Sequence, residues 1–151
     1  MTEQDKQLLL KDLCSRLPYG VICHYNCVIP IERRELHKAN YKDALKGIIP
    51  TLDGHIGFMV GFDRVNALEG DIKPYLRPMS SMTEEEKEYI KNRWCYNDWD
   101  INGPSSLWRE KIDVEDAEGI IDYFNEHRLD FRGLIEKGLA IEAPEGMYKT
   151  E

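Results

Sequence analysis

Between residues 73 and 86 the chain changes kind (KPYLRPMSSMTEEE). Upstream, β-branched and aromatic runs are bracketed by proline, glycine and an Asp53–Gly54 pair, the composition of short strands and tight turns. Downstream, Thr83 stands three residues before Glu86 in a capping box. Glu84, Glu85 and Glu86 fall in the first helical turn, where negative charge complements the helix dipole. Strands first and helices afterwards is the order of an α+β fold, not of an alternating parallel one.

The expected architecture is therefore an N-terminal helix and a small, mostly antiparallel sheet or partial barrel, packed with a C-terminal helical lobe. At 151 residues the chain suits a single domain. We divide it into a helix plus β-rich lobe over residues 1–78 and an acidic helical lobe over residues 83–151.

Local signals fill in the elements. Residues 3–17 predict a helix capped by Thr2 with Asp5, its apolar stripe made of Leu9, Leu10, Leu13, Cys14 and Leu17. Pro18 stops it. Residues 21–29 read as a strand, 31–42 as strand then loop, and 44–52 as a second strand broken at Pro50. Residues 55–62 return from the Asp53–Gly54 turn. Residues 71–76 give a short edge strand, because Pro74 cannot donate to a ladder. Residues 78–82 read as a linker, and Tyr89, Ile90 and Trp94 as the inward face of the helix after it. Ala117, Ile120, Ile121 and Phe124 mark a further amphipathic helix. Residues 139–141 predict a short strand, and residues 144–151 a frayed tail.

Charge divides as the elements do. Residues 1–82 hold 11 Lys/Arg against 10 Asp/Glu, while residues 83–151 hold 9 against 18. An acidic half repels phosphate backbones, so nucleic-acid binding is not expected of it. No apolar run approaches the ~20 residues that span a bilayer, and the N-terminal residues do not resemble a signal peptide. The expectation is a cytoplasmic protein with no membrane partner and reduced thiols.

Candidate chemistry is sparse. Cys23 and Cys27 invite a metal reading, but on a strand they lie about 13 Å apart. Two sulfurs on one zinc must each approach to ~2.3 Å. The four cysteines read instead as small buried hydrophobes. Asp98, Asp100 and Asn102, followed by Gly103, match the start of a calcium loop. Arg109 then stands where the bidentate glutamate belongs, and Pro104 interrupts the loop. No nucleophile motif is present; Cys95 with His127 is the kind of Cys/His pair that would be needed. No catalytic residue and no cofactor is expected.

The dense aromatic region of Trp94, Tyr96, Trp99 and Trp108 reads first as core. If exposed on the acidic surface, Trp99 and Trp108 are the candidate partner-binding residues, since Trp and Tyr anchor interfaces.

Residues 12–21 (DLCSRLPYGV), 73–86 (KPYLRPMSSMTEEE), 130–135 (DFRGLI) and 138–149 (GLAIEAPEGMYK) resemble a family of small uncharacterised proteins found in gut Bacteroidales genomes and their phages or mobile elements. The resemblance implies a bacterial or phage origin and a cytoplasmic location. It carries no activity and no functional residues. The leading functional expectation is a non-enzymatic protein-binding or accessory protein with an unknown protein partner. The alternatives are a small metal-dependent or Cys/His hydrolase and a structural homo-oligomer.

Overall fold

The computed structural model describes residues 1–31, 34–50, 56–61, 63–66, 72–94 and 114–148. The fold is α+β, with three helices among the described residues: α1 (Glu3–Arg16), α2 (Glu84–Trp94) and α3 (Val114–Glu126). Six strands form one sheet: β1 (Ile22–Ile31), β2 (Arg34–Pro50), β3 (Ile56–Val60), β4 (Asp63–Asn66), β5 (Ile72–Leu76) and β6 (Ile141–Glu142). The sheet order is β4-β3-β2-β1-β5-β6, antiparallel throughout except for the β5–β6 pair. Among the described residues no helix is long and apolar enough to cross a membrane.

Where a loop is expected after the strand within residues 31–42, residues 34–42 are strand. β2 runs unbroken for 17 residues and ends at Pro50. Its pairing shifts register twice, against β1 between Tyr25 and Cys27 and against β3 between Leu45 and Gly47. An extra residue bends a strand and increases its twist. The two irregularities roll the sheet until Cα atoms of β4 come within 8 Å of β1. The result is a partial barrel that stays open, as β4 and β1 are not hydrogen-bonded neighbours. Gly61 turns β3 into β4 at a positive φ of 59°. A side chain there would run into Asp43 on β2, so only glycine closes the turn against the bulged strand.

β5 is second from the edge, a correction to the edge assignment. β6 is two residues long and covers only Tyr75 and Leu76. Pro74, paired with Cys23 on the β1 side, faces no strand on the other among the described residues, so its missing N–H breaks no ladder there.

Two apolar clusters build the core. Leu9 and Leu13 of α1 meet Val21, Cys23, Tyr25, Leu45, Phe58, Val60, Ile72 and Leu76 of the sheet. Met79, Met82, Ile90, Ile120, Phe124, Leu129 and Phe131 form the second, under α2 and α3. Met79 and Met82 are thus core, and the expected linker is a one-turn 3₁₀ helix (Met79–Ser81) packed into the helical lobe.

The stripe on α1 also needs correction. Cys14 is exposed, so it is not one of the buried small hydrophobes, whereas Cys23 is. In its place Asp12 and Arg16 are fully buried at i, i+4 spacing. Arg16 binds Asp12 through Nε at 2.8 Å and Nη2 at 3.0 Å, and Nη2 also donates to the Leu129 carbonyl at 2.9 Å. Arg132 Nη1 donates to Asp12 Oδ1 as well, the oxygen that also takes Arg16 Nη2, at 2.7 Å. Arg16 and Arg132 both lie over the Phe131 ring, at 5.6 and 4.3 Å. This ionic group occupies the seam between the two apolar clusters. Beside it, Asp130 accepts the Leu134 and Ile135 N–H groups and so fixes the turn that carries Leu134 back into the sheet cluster.

The tail is anchored as far as Tyr148, which corrects the expectation of fraying for residues 144–148. The Tyr148 hydroxyl accepts the Ile22 N–H at 3.0 Å and donates to the Tyr75 carbonyl at 2.8 Å. Arg128 lies 4.8 Å over its ring.

Candidate functional site

The helical lobe places an aromatic ladder on its surface, and its foundation is the start of α2. Thr83 Oγ1 accepts the Glu86 N–H at 3.2 Å, and Glu86 accepts the Thr83 N–H at 2.9 Å, closing the capping box read in the sequence. Glu86 has a second task. Its two carboxylate oxygens each take a nitrogen of Arg77 at 2.9 Å, a bidentate pair mostly shielded from water. Burial alone would raise the Glu86 carboxyl, but the bonds from Arg77 and Thr83 outweigh it and hold the group below its usual range. The hydrogen bond to Glu86 likewise raises Arg77. Arg77 is tied through its backbone to Arg128 and Asp130, so α2 is pinned to the chain that follows α3.

Upon this base α2 and α3 meet through their rings. Tyr89 stacks on Tyr123 with centroids 5.4 Å apart and planes at 24°. Tyr123 stacks on His127, the residue just past the end of α3, at 3.9 Å and 19°. Trp94 stands edge-on to both tyrosines, 6.0 Å from Tyr89 and 6.1 Å from Tyr123. Edge-to-face and offset-stacked rings are the favoured geometries of aromatic pairs. Gly119 makes room for Trp94: a Cβ there would sit 2.7 Å from the indole nitrogen. His127 Nδ1 lies 2.9 Å from the Tyr123 carbonyl, which orients the imidazole on the ladder.

The ladder is only partly covered. Tyr89, expected to face inward, is 53% exposed, because the side chain buried at this level is Ile90. Trp94, Tyr123 and His127 are half-buried. Burial, then the charge of Glu86, pushes the Tyr123 phenol up to about 12, so this ring keeps its hydroxyl proton at ordinary pH.

Carboxylates border the rings. On α3, Glu115, Glu118, Asp122 and Glu126 are all exposed and recur at three- and four-residue spacing, which makes one continuous stripe. The helix carries no lysine or arginine, and its last turn has no basic residue. Like charges at i, i+4 and a carboxylate at a helix C-terminus both oppose stability, by a few tenths of a kcal/mol each. Chemically, the arrangement offers flat ring faces, a hydroxyl and negative charge, the features that receive guanidinium and ammonium groups.

Of the candidates read from sequence, Trp94 belongs to this cluster and His127 completes its stack. Cys95, Tyr96, Asp98, Trp99, Asp100, Asn102 and Trp108 lie outside the described residues. Among the described residues no three His, Cys, Asp or Glu side chains are grouped to hold a metal ion. From sequence, Tyr89 is placed on the inward face, and neither Tyr123 nor the stacking of His127 is singled out. The signal for the last two is their spacing: Tyr123 and His127 stand four apart in the sequence, the interval at which side chains meet along a helix and its final turn. No family model, no curated protein and no solved structure matches this chain.

Proposed function

We propose that this is a non-enzymatic binding protein that receives a cationic segment of a partner protein on the aromatic face between α2 and α3. The observation that carries the reading is Tyr89: a large ring held half in solvent by stacking on Tyr123 instead of being buried. A rigid, partly exposed aromatic has little conformational entropy left to lose on binding and is a typical interface anchor. The acidic stripe of α3 supplies the charge complement, which favours a partner rich in Lys or Arg and disfavours acidic ones. An accessory role in a bacterial or phage-infected cytoplasm is the setting that the resemblance implies.

The test compares capture from a Bacteroidales lysate by the wild type, Tyr89→Ala and Glu118→Lys/Asp122→Lys. Tyr89 and both acids are exposed, so these variants are expected to fold. The expected result is a basic protein retained by the wild type, lost by both variants, and released as salt is raised towards 0.5 M, about where the Debye length falls to a few ångströms. Retention that is equal across all three proteins would end this reading.

A further inference from the structure

We propose a second binding site, on the outer face of β2, β1 and β5, for a small organic phosphate. The pairing register sets Lys42 opposite His24 and His24 opposite Lys73, so three basic side chains form one row across three adjacent strands. Val21, Cys23 and Tyr25 alternate with His24 and are buried, as are Ile72, Pro74 and Leu76 around Lys73; the row therefore stands on the outer face. Neighbouring strands are about 4.8 Å apart, so the two lysine stems rise about 10 Å from each other with the imidazole between them. Both ammonium groups can swing inward from that spacing onto one phosphate. Among the described residues neither lysine has an ion-pair partner.

One row along the same face is a cavity of about 580 Å³, lined by Ile22, Lys42, Asp43, Ala44 and residues 144–147. That volume lies in the range of small-molecule sites. Its far wall is preformed. The Met147 N–H closes the turn onto the Pro144 carbonyl at 3.1 Å, the Ala143 N–H binds the Leu76 carbonyl at 2.7 Å, and Tyr148 clamps the end of the turn to β1 and β5. Ile22, Ala44, Pro144 and Met147 give the cavity an apolar floor and wall, while Glu145 offers an acceptor to a hydroxyl or amine. Lys42 belongs to both features, lining the cavity and beginning the basic row. A phosphate monoester fits the pair: its body in the cavity, its dianion on Lys42, His24 and Lys73. This charge is opposite to that of the α3 stripe, so the two sites select different ligands.

Amide chemical shifts of the full chain, titrated separately with AMP, glucose 6-phosphate, inorganic phosphate and adenosine, test the proposal. At least one of the two monoesters should give saturable shifts at Ile22, His24, Ala44, Lys73 and residues 145–147. Inorganic phosphate and adenosine should each bind at least about tenfold more weakly, and Lys42→Gln or Lys73→Gln should each weaken the monoester about tenfold, the loss of one charge-assisted hydrogen bond. The variants' unfolding midpoints should not fall, since neither lysine has an ion-pair partner among the described residues to lose. The site is refuted if neither monoester saturates, if shifts appear elsewhere, or if the lysine variants bind as the wild type does. Inorganic phosphate binding as tightly as the esters would equally overturn it, because the cavity would then contribute nothing.

Discussion

Replacing Asp12 with alanine would leave two guanidinium groups side by side in a site almost closed to water. Asp12 and Arg16 are both 0% exposed, and Arg16 Nη1 already has no hydrogen-bond partner among the described residues. A buried charge stripped of its counterion costs about 3–5 kcal/mol, whereas replacing a buried pair by apolar side chains of similar volume can be nearly neutral. Asp12→Ala should therefore lower the stability measured by urea unfolding by about 3–5 kcal/mol. Asp12→Leu combined with Arg16→Met should lose less than the single change, even though Arg132 also gives up its partner. If the double variant proves the weaker of the two, the ion pair is contributing net stability and not only satisfying itself. Such a site is hard to read from sequence. An acid and a base four apart on a helix look like a solvated surface pair, and only the arrival of residues 129–132 from the far end of the chain reveals them as core.

At the scale of elements, the local signals that were legible are those completed within a few residues. Thr2 with Asp5 and Thr83 with Glu86 form the capping boxes that their spacing announces. What was illegible depends on distant partners. β2 looks broken near Lys42 because polar residues interrupt its pattern, yet a bulged strand that pairs first with β1 and then with β3 tolerates them. The tail looked frayed because the acceptor of the Tyr148 hydroxyl is 73 residues away. The contact between α2 and α3 is a third case, since Gly119 in mid-helix gave no hint that an indole fills the space above it. That contact sets two effects against each other in Gly119→Ala. Alanine in a helix interior gains about 1 kcal/mol over glycine. Forcing a methyl to 2.7–3.0 Å from the Trp94 ring is overpacking, which costs about 1–3 kcal/mol. The net expectation is a loss of about 1 kcal/mol with a changed near-ultraviolet circular dichroism signal as the ladder shifts. A raised unfolding midpoint with an unchanged aromatic signal would show that Trp94 yields freely and that the ladder is soft.

For the molecule as a whole, the question is what keeps two apolar clusters acting as one body, and high pH probes it. Three groups that ionise in alkali stand at separate points: Cys23, buried in the sheet cluster, and two half-buried phenols, Tyr148 where the tail clamps β1 and β5 and Tyr123 between α2 and α3. Burial is the largest cause of the rise in each. It pushes Tyr148 and Tyr123 up to about 12 from an ordinary phenol value of 10, and it pushes the Cys23 thiol well above its ordinary range. The sign follows from linkage. A raised folded-state pKa means that the unfolded chain loses the proton first, so stability is intact below the unfolded value and declines as pH rises towards the folded one. The thiol should begin the decline near pH 9 and the phenols should steepen it between about 10 and 12. Each fully shielded group contributes at most about 1.4 kcal/mol per pH unit; Tyr123, half in solvent, contributes less because its surroundings are screened. Urea unfolding at half-unit steps from pH 8 to 11.5 should show this two-stage loss. Tyr148→Phe should start from lower stability at pH 8, by about 1–3 kcal/mol for the Ile22 N–H and Tyr75 carbonyl left unpartnered, yet fall less steeply above pH 10. If the two clusters are one cooperative unit, amide exchange in β1 and in α3 should accelerate together as the phenols titrate. Exchange that rises in β1 while α3 stays protected would show that the Asp12 seam does not join the lobes, and that the tail stabilises only the sheet.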